Sequence, residues 1–296
     1  MDQSELDDAL ALFQQAGHAA LADQETYRGW FMTRVQFHDG TVPDRVVHDH
    51  LLPLLQNAQD QGLLAQWWFI RKPPGWRMRF LPCPEIEPAE MRNAISLDLG
   101  AMSLRHRINS WTTAVYEPET AAFGGPVGMD IAHALFHADS THILTTYATG
   151  NEPPLGRREM SVLLLSTLMR GAGLEWYEQG DVWDRVCQDR PLPPGVAPVE
   201  VGLLREAVHS LATTDTKPSG GLLGGNGPLA SQGLWVEAFA EAGSTLSDAA
   251  GAKRLRRGLR ESLAYHVLFH WNRLGLAGKT QAILAHAART MVLEAA

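Results

Sequence analysis

A chain of 296 residues, 45% hydrophobic and 20% charged, can bury a sizeable core, which excludes a disordered or low-complexity protein. Its 33 acidic against 25 basic residues leave a net charge of −8, which argues against a nucleic-acid backbone as a direct partner. Two cysteines, Cys83 and Cys187, are too few for a disulfide framework or a Cys-rich zinc site.

The acidic opening MDQSELDDALALFQQ lacks the basic n-region of a signal peptide. No apolar run approaches the roughly 18 residues of a membrane span. The expected location is therefore cytoplasmic, with no membrane partner. YRGWFMTRVQFHDG (27–40) is rich in aromatic and β-branched residues and ends in a turn, which predicts a strand. A helical face of Val46, Val47, Leu51, Leu54 and Leu55 follows over 42–62, stopped by Gly62. LLAQWWFIR and WRMRFL read as two strands joined around KPPG, which is good turn chemistry. A helix with proline at its start is predicted over 88–106, and SWTTAVYEPE returns to strand.

After FGGPVGM (123–129) the pattern turns helical, with helices expected over 128–139, 156–172, 198–212, 234–242, 250–274 and 278–294. The stretch EWYEQGDVWDRV (175–186) mixes acids with aromatics and reads as structural, with Asp181 as an N-cap. Residues 213–233 are rich in Gly, Pro and Ser without periodicity, which predicts a flexible loop acting as a lid or a disordered insertion. These elements give a single α+β domain over 1–296. Its mostly antiparallel sheet is strand-rich over 25–120, with helices packed on it, and a helix-rich half follows over 125–296.

Arg77 and Arg79 stand at i and i+2, so on a strand both leave the same face, and Arg71 precedes the turn. A guanidinium cannot be neutralised by deprotonation, so this face is either wet or awaits an anion such as a carboxylate or a developing enolate. His133 and His137, and again His266 and His270, are spaced one helical turn apart. That spacing suits a metal. No HExxH or matching acid accompanies it, so no metal is assigned, and a single histidine working as acid or base is the stronger reading. Glu117 and Glu119 flank a proline, and Gly124–Gly125–Pro126 open a helix whose backbone N–H groups suit an anion, unless the turn is only a junction.

Four strings in order, WWFIRKPPGWRMRF, YEPETAAFGG, LFHADS and FHWNRLGL, resemble the C-terminal domain family of lantibiotic dehydratases, also labelled thiopeptide-type bacteriocin biosynthesis proteins. The resemblance runs from about Tyr27 to Ala288. It implies a stand-alone copy of a domain otherwise fused to a glutamylating domain, working on a ribosomally made precursor peptide. Two chemistries are known in the family. One is β-elimination of glutamate from glutamylated Ser or Thr. The other is a [4+2] cyclisation of two dehydroalanines into a pyridine. Neither needs a metal or organic cofactor. A non-catalytic peptide-binding partner of a glutamylating enzyme is the third reading, and a homodimer is allowed. Under elimination, the resemblance implies charge stabilisation by Arg77 and Arg79 and proton transfer by His270. Substrate binding falls to Arg71, Glu117, Glu119, Gly124, Gly125, His266, Asn272 and Arg273. Two positions depart from the family strings. Ala122 stands where an arginine is usual, and Leu268 where a histidine often is.

Overall fold

The computed structural model describes residues 29–39, 41–147 and 154–293, together with scattered positions before residue 18. Tyr27, Arg28 and Gly40 of the first predicted strand lie outside the described residues. The rest of that stretch forms β1 (Phe31–Gln36), and β2 (Leu64–Lys72), β3 (Gly75–Pro82) and β4 (Ser110–Ala114) complete an antiparallel sheet in the order β2-β3-β1-β4. The α+β fold with helices packed on an antiparallel sheet, as the sequence pattern predicts, is the one observed.

Alternation along the strands separates the two sheet faces. Phe31, Val35, Phe69, Trp76, Met78 and Phe80 join the main core, which also takes Met91, Ile95, Leu99 and Met102 from α3 (Pro88–Leu104). The opposite face carries Met32, Trp68, Ile70, Arg77 and Arg79. Here Trp68 and Met32 flank Arg79 in register, and Ile70 and Arg34 flank Arg77. A second, smaller cluster lies over this face. Trp30, Met32, Trp68, Ile70 and Tyr116 pack in it against Phe123 and against Met129, Ala132 and Phe136 of α4 (Pro126–Tyr147).

The helix predicted over 42–62 is interrupted. It begins as α1 (Pro43–Val46), passes through a π-helical turn at Val47–Leu51 and continues as α2 (Leu52–Asp60). Pro53 explains the slip, because it has no N–H to donate and its ring crowds the preceding turn.

The helical half contains α5 (Arg157–Gly171), α6 (Trp176–Asp189), α7 (Pro198–Gly202), α8 (Arg205–Thr213), α9 (Gly233–Gly251), α10 (Leu259–Leu274) and α11 (Gly278–Leu293). The helix expected over 234–242 runs on to Gly251, the one expected over 198–212 is split into α7 and α8, and further expectations need correction. Residues 250–274 are not one helix. The like charges of Lys253, Arg254, Arg256 and Arg257 and the following Gly258 break it, and Lys253 adopts a left-handed φ of 55°. The stretch at 175–186 is the helix α6, and its start is Glu175, whose backbone N–H donates to Glu178 Oε2 at 3.0 Å. Asp181 is no N-cap. It sits mid-helix, 3.2 Å from both Arg185 and Arg260. The helix at 128–139 runs on to Tyr147, since His142 and Thr145 keep its polar side while Ile143 and Leu144 remain fully buried.

The glycine-rich stretch at 213–233 is anchored. It folds as successive turns that bury Leu223 and Leu229, and Arg170 donates to Thr216 Oγ1 at 3.0 Å. Two leucines among the glycines supply the apolar grip that composition alone conceals. No helix among the described residues is long and apolar enough to cross a membrane.

Candidate active site

Arg79 is the anomaly of the second sheet face. Only 3% exposed, it has no carboxylate within ion-pair distance among the described residues, and its Nε has no hydrogen-bond partner there. Its Nη1 donates to the Arg77 carbonyl at 3.0 Å, and its guanidinium carbon lies 4.0 Å from the Trp68 ring centroid and 5.5 Å from that of Tyr116. Burial lowers its pKa to about 10. The charges of Arg77 and Arg273 push the same way, while Tyr116 and Glu119 oppose them. A cation held so dry without an anion is costly, and such costs concentrate where ligands bind. Arg77, one pleat away, is half-buried and closer to solvent.

Above Arg79 stands an aromatic wall. Trp68 packs on Phe136 at 4.8 Å, Phe136 stacks on Phe269 at 5.3 Å, and Phe123 meets both Phe136 and Phe269 edge-on. Tyr116 Oη and His133 Nε2 share a hydrogen bond of 2.7 Å beside Trp30. Burial and the Arg79 charge push His133 down to about 3, so it is neutral at working pH. His266 projects from α10 toward Phe123, and neither of its ring nitrogens has a hydrogen-bond partner among the described residues. Burial and the Arg273 charge hold it at about 3 as well.

Behind the wall, α4 and α10 are joined by Asp139, which is fully buried. Its carboxylate accepts from His270 Nδ1 at 2.9 Å, Arg273 Nε at 2.8 Å and Trp235 Nε1 at 3.0 Å. Burial alone would raise Asp139, but His270 and Arg273 overrule it and hold it at about 2. Arg273 stacks over Phe136 at 4.2 Å, and its Nη1 has no hydrogen-bond partner among the described residues. The chamber is thus a packed aromatic cluster between two buried guanidiniums, Arg79 on the sheet and Arg273 on α10, which Trp68 and Phe136 separate. Sequence reasoning missed Asp139 and Tyr116, and named His133 only as one member of a helical pair. Asp139 had a signal, since it falls on the apolar spacing Ala132, Phe136, Ile143 as a charge in a core position.

The other expected residues are distributed as follows. Glu119 is exposed but near enough for its charge to act on Arg79, and Glu117 is exposed. His270 turns its ring toward Phe239 and Trp235. Asn272 leaves the other side of α10 and accepts from Gln281 Nε2 at 3.1 Å. Arg71 is engaged elsewhere. It donates through both terminal nitrogens to buried Asp44 and through Nε to the Arg273 carbonyl at 2.6 Å, while Arg157 reaches the same carboxylate at 2.9 Å.

Gly124 and Gly125 have φ of 91° and 94°, which side-chain-bearing residues rarely adopt, but their N–H groups already donate to Ala121 and Thr120 carbonyls. They make a junction, not an anion cradle. The histidine pairs do not converge either, for His137 Nδ1 lies 2.9 Å from the Trp67 carbonyl while His133 faces Tyr116. Ala122 is partly buried and packs against the chamber cluster, as Tyr265 and Phe269 also do. The position where the family strings carry arginine thus borders this chamber.

Residues 30–292 match the family described as the lantibiotic biosynthesis dehydratase C-terminal domain, and the chain belongs to that family. Among solved structures it is similar to the tRNA-dependent lantibiotic dehydratase MibB from Microbispora sp. 107891, at 19% identity and a TM-score of 0.59. That match covers 90% of this chain but 28% of MibB. The pyridine synthase TbtD from thiomuracin biosynthesis aligns at 13% identity and a TM-score of 0.62, covering 90% of this chain and 98% of TbtD. TsrL aligns at 17% identity and a TM-score of 0.57, covering 90% and 94%. At these identities the likeness is one of fold. No curated protein sequence matches the chain.

Proposed function

We propose that this protein modifies a ribosomally made precursor peptide by β-elimination of glutamate from glutamylated Ser or Thr. The observation that carries the reading is Arg79, a buried guanidinium without an acidic partner, set in an aromatic chamber with unpartnered polar atoms of Trp68, His266 and Arg273 around it. A peptide α-proton is very weakly acidic, so its removal requires that charge developing on the carbonyl oxygen be stabilised. A fixed, dry cation does this without reorganisation. The base takes the Cα proton, the Cα=Cβ bond forms, the Cβ–O bond breaks, and glutamate leaves as a free carboxylate.

Proton transfer passes in this reading from His270, which Asp139 holds, to His266 and the Tyr116–His133 pair, which border the chamber. Burial first, and the Arg79 and Arg273 charges second, hold His133 and His266 neutral; an anion entering between the two arginines offsets the second cause and so strengthens both as bases. Arg77, at the wetter end, assists by orienting the substrate. A separate glutamylating enzyme would supply the glutamylated peptide.

A second reading is favoured by Ala122. With alanine at position 122 and surroundings of Trp, Phe and Tyr, the chamber also suits two uncharged dehydroalanines undergoing [4+2] cyclisation. One assay separates the two. Purified protein given a glutamylated peptide releases free glutamate and leaves dehydroalanine, and a chelator changes nothing. Consumption of a dehydroalanine peptide, with loss of water and a leader segment and no glutamate released, assigns the cyclase instead. Peptide binding without either product leaves the scaffold.

A further inference from the structure

The second sheet face continues outward from the chamber as a row of cations. Arg34 and Arg77 are direct cross-strand partners on β1 and β3, and Lys72 closes β2 beside them. Arg34 and Lys72 are exposed and Arg77 half-buried, and none has a carboxylate within ion-pair distance among the described residues. Together with Gln36 they line a cavity of about 190 Å³ whose walls include no acidic residue. Like charges directly opposite on neighbouring strands repel. Acids outnumber bases in this chain, and several arginines elsewhere find them, as Arg185 does in Asp181 and Arg289 in Asp184. A concentration of unpaired cations on one face is therefore a feature that calls for an external anion.

We propose that this row is a docking surface for an acidic segment of the peptide substrate, its carboxylates seated on Arg34, Lys72 and Arg77. The inference rests on the peptide-modifying function proposed above and adds how the substrate is held. Geometry favours an extended peptide. Alternate side chains of a strand project about 7 Å apart on one face, which matches the step between successive cross-strand pairs of this sheet. Arg79 follows Arg77 at the same step, so a segment on the row points into the chamber. A polyanion such as RNA is disfavoured by the net charge of −8, whereas a few carboxylates close to the row feel mainly the local cations.

The test is fluorescence anisotropy with a short labelled peptide carrying Glu at alternate positions, against its Gln counterpart and an RNA oligonucleotide of equal charge. The Glu peptide should bind, weaken with added salt, and lose about three- to tenfold in affinity to the double variant Arg34→Gln, Lys72→Gln. Both side chains are exposed, so the variant's melting temperature should match the parent's. The control Arg92→Gln, Arg105→Gln removes the same charge on α3 and at its end, and should bind like the parent. Equal binding of the Gln peptide, an equal loss in the control, or tighter binding of RNA each overturns the proposal. Because this readout involves no turnover, it can fail while glutamate release succeeds, or hold while that assay fails.

Discussion

At the scale of single residues, Arg77 and Arg79 were legible as a pair from their i, i+2 spacing, but their inequality was not. Burial separates them, since only Arg79 is covered by the rings of Trp68 and Tyr116. Arg79→Lys should therefore slow turnover by about 10² to 10³, because lysine keeps the charge but not the planar fork. Arg77→Lys should cost much less, and steady-state rates on the same peptide compare the two. Arg79→Met should also melt higher than the parent while losing activity. Replacing buried charges by apolar side chains of similar volume often gains about 1–4 kcal/mol. A lower melting temperature for that variant would mean that stacking on Trp68 outweighs desolvation.

Asp139 gives a second prediction. Asp139→Asn leaves His270 and Arg273 without their shared anion, at a cost of about 3–5 kcal/mol. The sign with pH follows from a folded pKa of about 2 against 3.8 unfolded. The contribution is complete above pH 4 and is lost as pH falls through 2. Denaturant titrations at pH 5 and pH 2 should thus show the gap between parent and variant narrowing by roughly 2 kcal/mol. Arg71 was misplaced at the sequence level because its partner Asp44 lies on another element, and long-range pairing leaves no local pattern.

Among the elements, strands and turn chemistry were readable because alternation and a KPPG turn are local. Helix limits were less so. Helix α6 hid behind its charges, which face outward while Val182, Trp183 and Val186 are buried, and the break between α9 and α10 falls at the basic run 253–257, where charges interrupt the apolar spacing. Contact between α5 and α9 illustrates what spacing cannot show. A Cβ on Gly243 would stand 2.2 Å from the Leu168 carbonyl oxygen, and one on Gly171 would stand 2.5 Å from the Ala240 carbonyl oxygen. The two helices touch through backbone. Gly243→Ala should raise intrinsic helix propensity yet destabilise the protein by about 1–3 kcal/mol through overpacking, as thermal melts will show. A neutral or stabilised variant would mean that α9 can shift without loss.

For the molecule as a whole, the main core draws on the first sheet face, on α3 and on the helical half alike, with Phe80, Ile95 and Trp271 in one cluster. Strand-rich and helix-rich parts should therefore unfold as one unit. Far-ultraviolet and near-ultraviolet circular dichroism should give coincident denaturant transitions, and separated midpoints would show two independent bodies. The outer edge of β2 adds a different consequence. It lies along α4, where the Phe69 amide donates to Ser140 Oγ at 3.3 Å instead of to a neighbouring strand. That proton can meet solvent only when helix and sheet part. Its deuterium exchange is consequently a clock for the opening of this seam, and a peptide held in the chamber between the two should slow it.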